Sequence, residues 1–441
     1  TNGGGLIYFD RTTGRFLQYR HVPGNPNSLS NDVIVSLCID HEQKLWIGTY
    51  FGGLNCFDGK TFTHFMHDPG DSNSLPDDRV WEVFEDSRQN LWVGTLRGGL
   101  SLFDRNRRTF RHFTSREANS VHSDYISTLA EDRQGNLWIG TDRGIDVFDQ
   151  QTGAFLHYEN HPSLSNSLSN NVITSILEDK NGNIWIGSLH GLNLFDKKTR
   201  TFQVFGKKDE LPDDVIVSLV EDNSGGLWMG TPNGLANATP FLRKDGRGMG
   251  IAVRNYNELD GLQSREFNEK AACKTRQGEL VFGGANGFNI FSPENIDRNP
   301  GVTKVLLTDF QISDHSLRPG EPVSDRVVLE RSMTETCALT LEHGQNVFSL
   351  GFAALNFFHP EKNVYQYTLE GFNQGWYTAD NKTRKVTYTN LDPGNYVFRV
   401  RVADETGAWV ESKGLKICVQ PPFWRSTLAY VVYFLFIAGA L

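Results

Sequence analysis

Three histidines recur at one place in an internal repeat, an arrangement that could serve general acid–base chemistry or metal binding. His64, His112 and His157 stand in the segments "TFTHF", "TFRHF" and "AFLHY". The same place holds Gln18 and Val204 in other copies of the repeat. A position that accepts valine does not depend on a titratable group, so we interpret these histidines as residues on the face of a β-sheet.

Carboxylates and one amide recur in the same way at the start of a predicted strand. A ring of such groups would be able to bind a cation, and this remains an alternative. Because Asp and Asn commonly hydrogen-bond the backbone of a turn, we predict that these residues cap the chain instead. The set comprises Asp32, Asp78, Asp124, Asn171 and Asp214.

The sequence contains no recognisable catalytic signature. It has no HExxH, GxSxG or Walker motif, and the glycine cluster at 244–250 lacks the strand–turn–helix setting of a phosphate-binding loop. The five cysteines show no CxxC spacing, and Cys38 and Cys56 stand where other copies carry apolar or small residues. We therefore predict no catalytic residue, no cofactor and no metal site in this chain.

The elements that position these residues follow from the repeat itself. The core of the repeat is Leu/Ile-Trp-x-Gly-Thr/Ser, and a degenerate copy has Val281 in the place of the tryptophan. A Gly-Leu-x-x-Phe-Asp element follows each core and gives seven copies in all, counted from Gly5 to Gly287. The tryptophans of the repeat are Trp46, Trp92, Trp138, Trp185 and Trp228.

Each copy is typical of four short antiparallel strands joined by tight polar turns. A unit length in the forties with strands of this size is the signature of a β-propeller blade. The chain enters the repeat at Thr1 after the second strand. We therefore predict an all-β protein with a propeller of the seven-bladed type, in which the first blade is incomplete and six are complete. The tryptophan should fill the space between blades, and the glycines should allow positive φ in the turns.

A binding surface is predicted on one face of the propeller. In an antiparallel blade the second-to-third turn and the fourth-to-first loop lie on the same face, and residues there differ between copies. Aromatic rings, guanidinium groups and amides suit sugars or sugar acids. Ordinary variation of surface loops is the alternative. The candidate residues are Tyr50, Phe51, Arg79, Arg97, Tyr125, Arg143, His190 and Asn233.

Residues 330–420 show a second pattern, of alternating or continuous apolar segments separated by turns such as "LDPGN". This pattern predicts an immunoglobulin-like β-sandwich. We assign residues 1–300 to the propeller, 301–329 to a linker or first sandwich strand, and 330–420 to the sandwich.

The last segment, 426–441, is uncharged and apolar over 16 residues. A bilayer-spanning helix needs about 20 residues, and Phe423, Trp424 and Arg425 stand where interfacial anchors belong. We expect the start of a transmembrane helix. The net charge of -9 and the lack of a basic stripe disfavour nucleic-acid binding.

Several segments resemble one protein family. "EDRQGNLWIGTDRGIDVFD" (131–149) resembles the two-component-regulator propeller repeat, and "YQYTLEGFNQGWY" with "TYTNLDPGNYVFRVRVAD" resembles the YYY sandwich domain that follows it. This resemblance implies the periplasmic sensor region of a sensor histidine kinase in the inner membrane of a Gram-negative bacterium. It further implies a homodimer, with phosphoryl transfer beyond Leu441.

From these observations we expect a non-enzymatic sensor region that detects an oligosaccharide or other small ligand. The ligand would bias the packing of a dimer, and the sandwich would pass the change to the membrane helix. Three alternatives remain: the same sensor driving a diguanylate cyclase, a propeller enzyme acting on carbohydrate, and a structural scaffold. The ligand site itself has two alternative places, a preceding propeller and the dimer contact.

Overall fold

A computed structural model describes residues 3–243, 248–296, 304–324, 326–355, 360, 363–403, 409–425 and 427–440. The chain forms two compact units, Thr1–Ile296 and Asp297–Leu441. Strands dominate both units, as an all-β sequence predicts. The propeller in the first unit and the sandwich in the second are both confirmed.

The first unit begins with a two-stranded antiparallel sheet of β1 (Leu6–Asp10) and β2 (Arg15–Tyr19). Five four-stranded sheets follow, each built from consecutive strands in chain order. Their strands are β3 (Ile34–Ile39), β4 (Leu45–Thr49), β5 (Leu54–Phe57), β6 (Phe62–Phe65), β7 (Val80–Glu85), β8 (Leu91–Thr95), β9 (Leu100–Asp104), β10 (Thr109–Phe113), β11 (Ile126–Glu131), β12 (Asn136–Thr141), β13 (Ile145–Asp149), β14 (Ala154–Tyr158), β15 (Ile173–Glu178), β16 (Ile184–Ser188), β17 (Gly191–Asp196), β18 (Thr201–Phe205), β19 (Ser218–Glu221), β20 (Leu227–Thr231), β21 (Gly234–Leu242) and β22 (Met249–Tyr256).

A seventh sheet contains β23 (Phe267–Lys274), β24 (Leu280–Gly284) and β25 (Gly287–Phe291). Its three strands differ from the four that the prediction of six complete blades requires. After β25 the chain turns into a short 3-10 helix that begins at Pro293, and proline has no N–H with which to continue a ladder. Within the described residues, therefore, five blades have four strands, one has three and the first has two.

The repeat tryptophans form a belt between blades, as predicted. Each lies on a second strand and is nearly fully buried, and Trp46, for example, packs against Val80 and Phe103 of the next sheet. Each indole N–H also donates to a buried aspartate six residues earlier in the chain. This aspartate lies in the tight polar turn between the first two strands, where the sequence predicted a turn but no such bond. The belt pairs are Trp46–Asp40 (2.7 Å), Trp92–Asp86 (2.8 Å), Trp138–Asp132 (2.9 Å), Trp185–Asp179 (2.8 Å) and Trp228–Asp222 (2.8 Å).

The polar residues at the inner-strand entrances do cap the backbone. Asp78 Oδ1 accepts a hydrogen bond from the His67 N–H at 2.7 Å, and Asp32, Asp124, Asn171 and Asp214 accept equivalent bonds. Their main-chain carbonyls accept a hydrogen bond from the N–H of the glycine at the start of the third strand of the preceding blade. The Gly191 N–H, for example, donates to the Asp214 carbonyl. Gly191 has φ +119, and a Cβ there would lie 2.6 Å from the Phe205 carbonyl oxygen, so only glycine fits.

The second unit is a two-sheet sandwich. One sheet has the order β27-β26-β31-β34, the other β30-β37-β35-β32-β33, and β36 pairs with β35. The remaining pair, β28 and β29, forms a separate hairpin. The strands are β26 (Val305–Ile312), β27 (His315–Ser316), β28 (Pro322–Val323), β29 (Arg326–Val327), β30 (Ala338–Leu341), β31 (Val347–Ala354), β32 (Val364–Glu370), β33 (Tyr377–Thr378), β34 (Lys385–Thr389), β35 (Gly394–Ala403), β36 (Trp409–Glu411) and β37 (Leu415–Val419).

The core of the sandwich is aromatic, with Phe310, Phe348, Tyr365 and Phe398 almost completely buried between the sheets. One helix, α1 (Thr427–Ala440), follows β37. It has 14 residues, and within the described part of the chain no helix reaches the length and hydropathy that a membrane crossing needs. The predicted ends of the membrane segment, Ser426 and Leu441, and the boundary after residue 300 lie outside the described residues.

Candidate functional site

The turns named by sequence analysis are fixed to the entrances of the inner strands. The Tyr50 N–H donates to the Val33 carbonyl at 3.0 Å, and the Leu96 N–H donates to the Arg79 carbonyl at 3.1 Å. The second-to-third turn and the fourth-to-first loop of a blade therefore lie side by side, as predicted from the antiparallel order of the strands. The first strands of successive blades contact one another around the centre of the propeller.

Aromatic rings gather at this face. Tyr50 and Phe51 form a T-shaped pair with ring centroids 4.4 Å apart, and Tyr50 lies 6.1 Å from Trp81 of the next blade. Phe51 is 61% exposed and the other two rings are half-buried, so all three remain partly open to solvent. Two of these residues were predicted, whereas Trp81 was not.

Trp81 stands at a β-bulge. The register between β7 and β8 shifts between Val80 and Glu82, which leaves Trp81 as the extra residue. A bulge re-aims the side chain of its extra residue and is common beside functional sites. The corresponding bulge in β3 holds Val35. The bulge is therefore a general feature of the repeat, whereas the tryptophan is specific to the blade of β7–β10.

A nearly buried ion pair lies beside the Trp81 ring. Lys270 Nζ is 2.6 Å from Glu82 Oε2, also donates to the Trp81 carbonyl at 3.0 Å, and lies 5.8 Å from the centroid of the Trp81 ring. Ser36 Oγ donates to the other oxygen of Glu82 at 3.0 Å. Burial lowers the pKa of Lys270, and the charge of Glu82 acts in the opposite direction. These contacts join three blades across the centre.

We call the group formed by these residues the channel-mouth cluster; it comprises Tyr50, Phe51, Trp81, Glu82, Tyr125 and Lys270. Tyr125 is included because it stands at the entrance of β11, which contacts β7 of the Trp81 blade, and its side chain is half-buried. Burial raises the pKa of Tyr125, and the negative charges of Glu269 and Asp142 raise it further. Beside the cluster, Arg79 Nε donates to Asp77 at 2.9 Å in a partly buried ion pair. The arrangement offers flat apolar rings together with fixed donors and acceptors.

The remaining predicted residues do not join this cluster. Arg97 is exposed in the β8–β9 turn. His190 Nδ1 lies 3.0 Å from Asn170 Nδ2, and Asn233 Nδ2 donates to the Pro212 carbonyl at 3.2 Å, so both are engaged within their own blades. Arg143 lines a separate cavity.

Trp81, Glu82 and Lys270 were not predicted, because the prediction rested on differences between turns and these residues lie on inner strands. The signal was available: the place of Glu82 holds Ser36, Thr128, Ser175 and Ser218 in other blades. Lys270 lies in a two-residue insertion, since Arg265 precedes Val281 by 16 positions whereas Asp32 precedes Trp46 by 14. Lys270 consequently adopts φ +56 in the irregular part of β23.

A second group, in the blade of β11–β14, brings together His122, Asp146 and His157. Asp146 is 1% exposed, and its Oδ1 lies 2.6 Å from His157 Nδ1 and 3.6 Å from His122 Nδ1. Burial raises the pKa of Asp146, although the bonds from His157 and from the His122 N–H act against that rise. His64 and His112 behave differently, since their Nε2 atoms contact the main-chain carbonyls of Ser28 and Ser72.

Two cavities accompany these groups. One of about 430 Å³ is lined by both histidines of the trio and by Arg143, Tyr158 and His161. The other, of about 640 Å³, lies in the second unit and is lined by a mixture of polar and charged side chains, among them Arg326 and Glu342, which pair with each other at 3.5 Å. Because none of the described residues that line the larger cavity is aromatic, we regard it as a weaker site for sugars.

Two cysteines of the propeller, Cys38 and Cys56, lie against its core around Trp46. Burial raises the pKa of each thiol to about 11. At neutral pH both are therefore protonated. This agrees with their prediction as small core residues.

Comparison with known families identifies both parts of the chain. The two component regulator propeller family matches residues 28–51, 74–97, 120–143, 167–190 and 210–233. The Y_Y_Y domain matches residues 356–420. The chain therefore contains two component regulator propeller repeats followed by a Y_Y_Y domain, and the family resemblance drawn from the sequence is confirmed.

Similar proteins extend the comparison. The chain is 33% identical over 187 residues to histidine kinase P4 of Formosa agariphila, covering 42% of this chain and 13% of the kinase. A solved extracellular domain of a proposed hybrid two component system of B. thetaiotaomicron is 23% identical, with a TM-score of 0.45, covering 94% of this chain and 61% of that one. PorZ, a surface component of the type-IX secretion system of Porphyromonas gingivalis, is 16% identical with a TM-score of 0.45, covering 90% of this chain and 53% of PorZ. This chain thus spans only part of the length of each relative.

Proposed function

We propose that this chain, a run of two component regulator propeller repeats followed by a Y_Y_Y domain, is the ligand-sensing region of a membrane-bound receptor histidine kinase. The observation that carries the proposal is the joint presence of both domains, in this order, in one chain. The 33% identity to a histidine kinase supports the same output. Phosphoryl transfer belongs to a kinase domain outside these residues.

The channel-mouth cluster is the proposed ligand site, and an oligosaccharide is the proposed ligand. Partly exposed rings such as Phe51 and Trp81 provide flat surfaces on which the apolar face of a sugar can stack. The Arg79 guanidinium, held by Asp77, and the Tyr125 hydroxyl supply directed hydrogen bonds. A largely apolar site with a few polar groups is typical of small-molecule recognition.

The sandwich supports the proposed route of signalling. Strand β37 pairs with β30 and β35 and ends at Val419, eight residues before α1 begins at Thr427. Pro421 and Pro422 stiffen the connection between them. We propose that α1 is part of a membrane anchor, that the described region lies in the periplasm of a Gram-negative cell, and that ligand shifts the balance between two arrangements of a homodimer. Such a shift requires different ligand affinities in the two arrangements.

The test is a thermal-shift screen of the purified 441-residue chain in detergent against a panel of oligosaccharides. A ligand at about 100 times its dissociation constant stabilises the native state by about 2.7 kcal/mol and so raises the melting temperature. Tyr50→Ala, in the cluster, should abolish the rise, whereas Arg97→Ala, outside it, should preserve it.

Each outcome of the screen has a clear meaning. A hit that survives Tyr50→Ala would remove the ligand from the channel-mouth cluster. A panel without any hit would contradict the proposal of a sugar ligand. In either case the domain assignment would stand, because it rests on the family matches alone.

A further inference from the structure

One blade departs from the repeat at two positions that meet in space. In the sheet of β11–β14, Asp146 occupies a place that holds Asn55, Asn193 and Asn289 in other blades. In the loop before β11, His122 occupies a place that holds serine in two other blades, at Ser30 and Ser169. Both changes replace a neutral polar side chain by a metal-ligating one, and both occur in the same copy.

The other blades show what this place normally does. Asn55 Oδ1 accepts a hydrogen bond from the Ser30 N–H at 3.0 Å, and Asn193 Oδ1 accepts one from the Ser169 N–H at 2.9 Å. One oxygen therefore suffices to hold the loop against the third strand. Asp146 does the same with Oδ2, which accepts from the His122 N–H at 2.7 Å.

The second oxygen of Asp146 does not take part in this loop contact. Asp146 Oδ1 lies between two imidazoles, 2.6 Å from His157 Nδ1 and 3.6 Å from His122 Nδ1. The two rings meet edge to face with centroids 3.5 Å apart. The ligand atoms of the three residues lie within 4.8 Å of one another, with Asp146 buried and both histidines open to solvent.

We propose that His122, Asp146 and His157 form a binding site for a divalent transition-metal ion of the zinc type. Two imidazole nitrogens and one carboxylate oxygen are a donor set that Zn²⁺ and its neighbours accept, whereas Ca²⁺ and Mg²⁺ prefer oxygen alone. Ligand atoms about 2.0–2.2 Å from a tetrahedral ion stand roughly 3.4 Å apart, so small side-chain rotations bring the trio into place.

His122 and His157 both line the cavity of about 430 Å³, so a fourth ligand would reach the ion from this cavity. That cavity is also lined by Glu159 and His161, which contact each other at 3.8 Å. The ion would join the loop before β11 to β13 and β14. Because this loop continues to Tyr125 of the channel-mouth cluster, the ion would stiffen the edge of the proposed ligand site. The metal site itself does not depend on that site being occupied.

The experiment is a zinc titration of the 441-residue chain, after removal of metals with a chelator, by equilibrium dialysis and by the visible absorption of bound Co²⁺. Asp146→Asn restores the amide of the other blades and retains the loop contact, and His122→Ser restores the serine. His64→Gln is the matched control, since His64 has the same strand position in another blade. Unfolding curves recorded in chelator establish that the variants are folded.

The proposal predicts one Zn²⁺ per chain for the wild type and for His64→Gln. It predicts affinity reduced at least about tenfold in Asp146→Asn and His122→Ser, with loss of the Co²⁺ absorption. A wild-type chain that takes up no stoichiometric zinc would overturn the proposal. So would zinc binding that is unchanged in both trio variants, or lost equally in the His64 control.

Discussion

The tryptophan belt and the channel-mouth cluster are built from adjacent places in the same repeat, yet they follow opposite rules. In the belt, five copies make the same indole-to-carboxylate bond at 2.7–2.9 Å. In the cluster, one copy carries Trp81 where others carry Val35, Ser127, Thr174 and Val217. Positions that every copy shares hold the blades together, because each blade needs the same contact. Positions where one copy departs are free of that need and are available for recognition.

The largest effect should come from the belt. Trp138 is 4% exposed, bonds to Asp132 and packs edge-on against Phe195 at 5.2 Å. Trp138→Ala removes this ring from between two blades and should lower the free energy of unfolding by about 3–5 kcal/mol. Urea unfolding followed by circular dichroism measures the loss. A loss smaller than that of Trp81→Val would contradict the division between belt and cluster.

A smaller loss is expected for Glu82→Ser, which restores the residue found in three other blades. The change leaves Lys270 charged and nearly buried without its partner, so the free energy of unfolding should fall by about 2–3 kcal/mol. The double variant Glu82→Ser/Lys270→Met should recover most of that loss, because it removes the unpaired charge. Urea unfolding of the four proteins in this cycle gives the coupling. Additive losses would show that the pair does not interact.

The belt also predicts a pH dependence. Burial alone would raise the pKa of Asp222, but bonds from Ser224, the Trp228 indole and the Gly226 N–H outweigh it and hold the pKa below 3.8. A carboxylate with a lowered pKa stabilises the fold above its unfolded pKa, and this contribution is lost as the pH falls through the folded value. Asp222→Asn should therefore cost about 1–2 kcal/mol at pH 7.

The difference between wild type and Asp222→Asn should shrink as the pH falls from the unfolded value of 3.8 through the lower folded value, because protonation removes this contribution from the wild type alone. Urea unfolding at a series of pH values measures it. A difference that stays constant down to pH 2.5 would mean that the charge of Asp222 contributes nothing.

The smallest effect on stability is expected for Trp81→Val, which gives β7 the residue of β3 at the bulge. The ring is half-buried and the bulge is common to four inner strands, so the free energy of unfolding should change by about 1 kcal/mol or less. The same urea titration compares it directly with Trp138→Ala. A loss of the belt's size would make Trp81 a structural residue.

Much of the propeller could be predicted from the sequence because each blade repeats the same strands, turns and packing contacts. The burial of Trp46, the positive φ of Gly191 and the cap made by Asp78 each follow from residue type and period. The position of the second-to-third turns on one face could be predicted too, since strand order alone places them. The bond from each tryptophan to its aspartate was missed, although that pair recurs six residues apart in five copies.

The rest depends on contacts between copies. Lys270 reaches Glu82 across 188 residues, and no periodic pattern reports such a contact. His122, Asp146 and His157 meet only because a loop folds over the third strand of its own blade. The three-stranded sheet of β23–β25 likewise reflects a chain that leaves the ladder near Pro293. In each case the sequence shows that one copy departs from the repeat. The contact that results is evident only once the position of the neighbouring strand is known.

We propose that residues departing from the repeat at the channel mouth bind the ligand. Isothermal titration of an oligosaccharide into wild type, Trp81→Val and Tyr8→Val tests this proposal, with Tyr8→Val as the control because Tyr8 is an aromatic residue 60% exposed outside the cluster. Loss of one stacking ring should weaken binding by at least about tenfold in Trp81→Val and leave Tyr8→Val unchanged. Equal affinity in all three proteins would contradict the proposal.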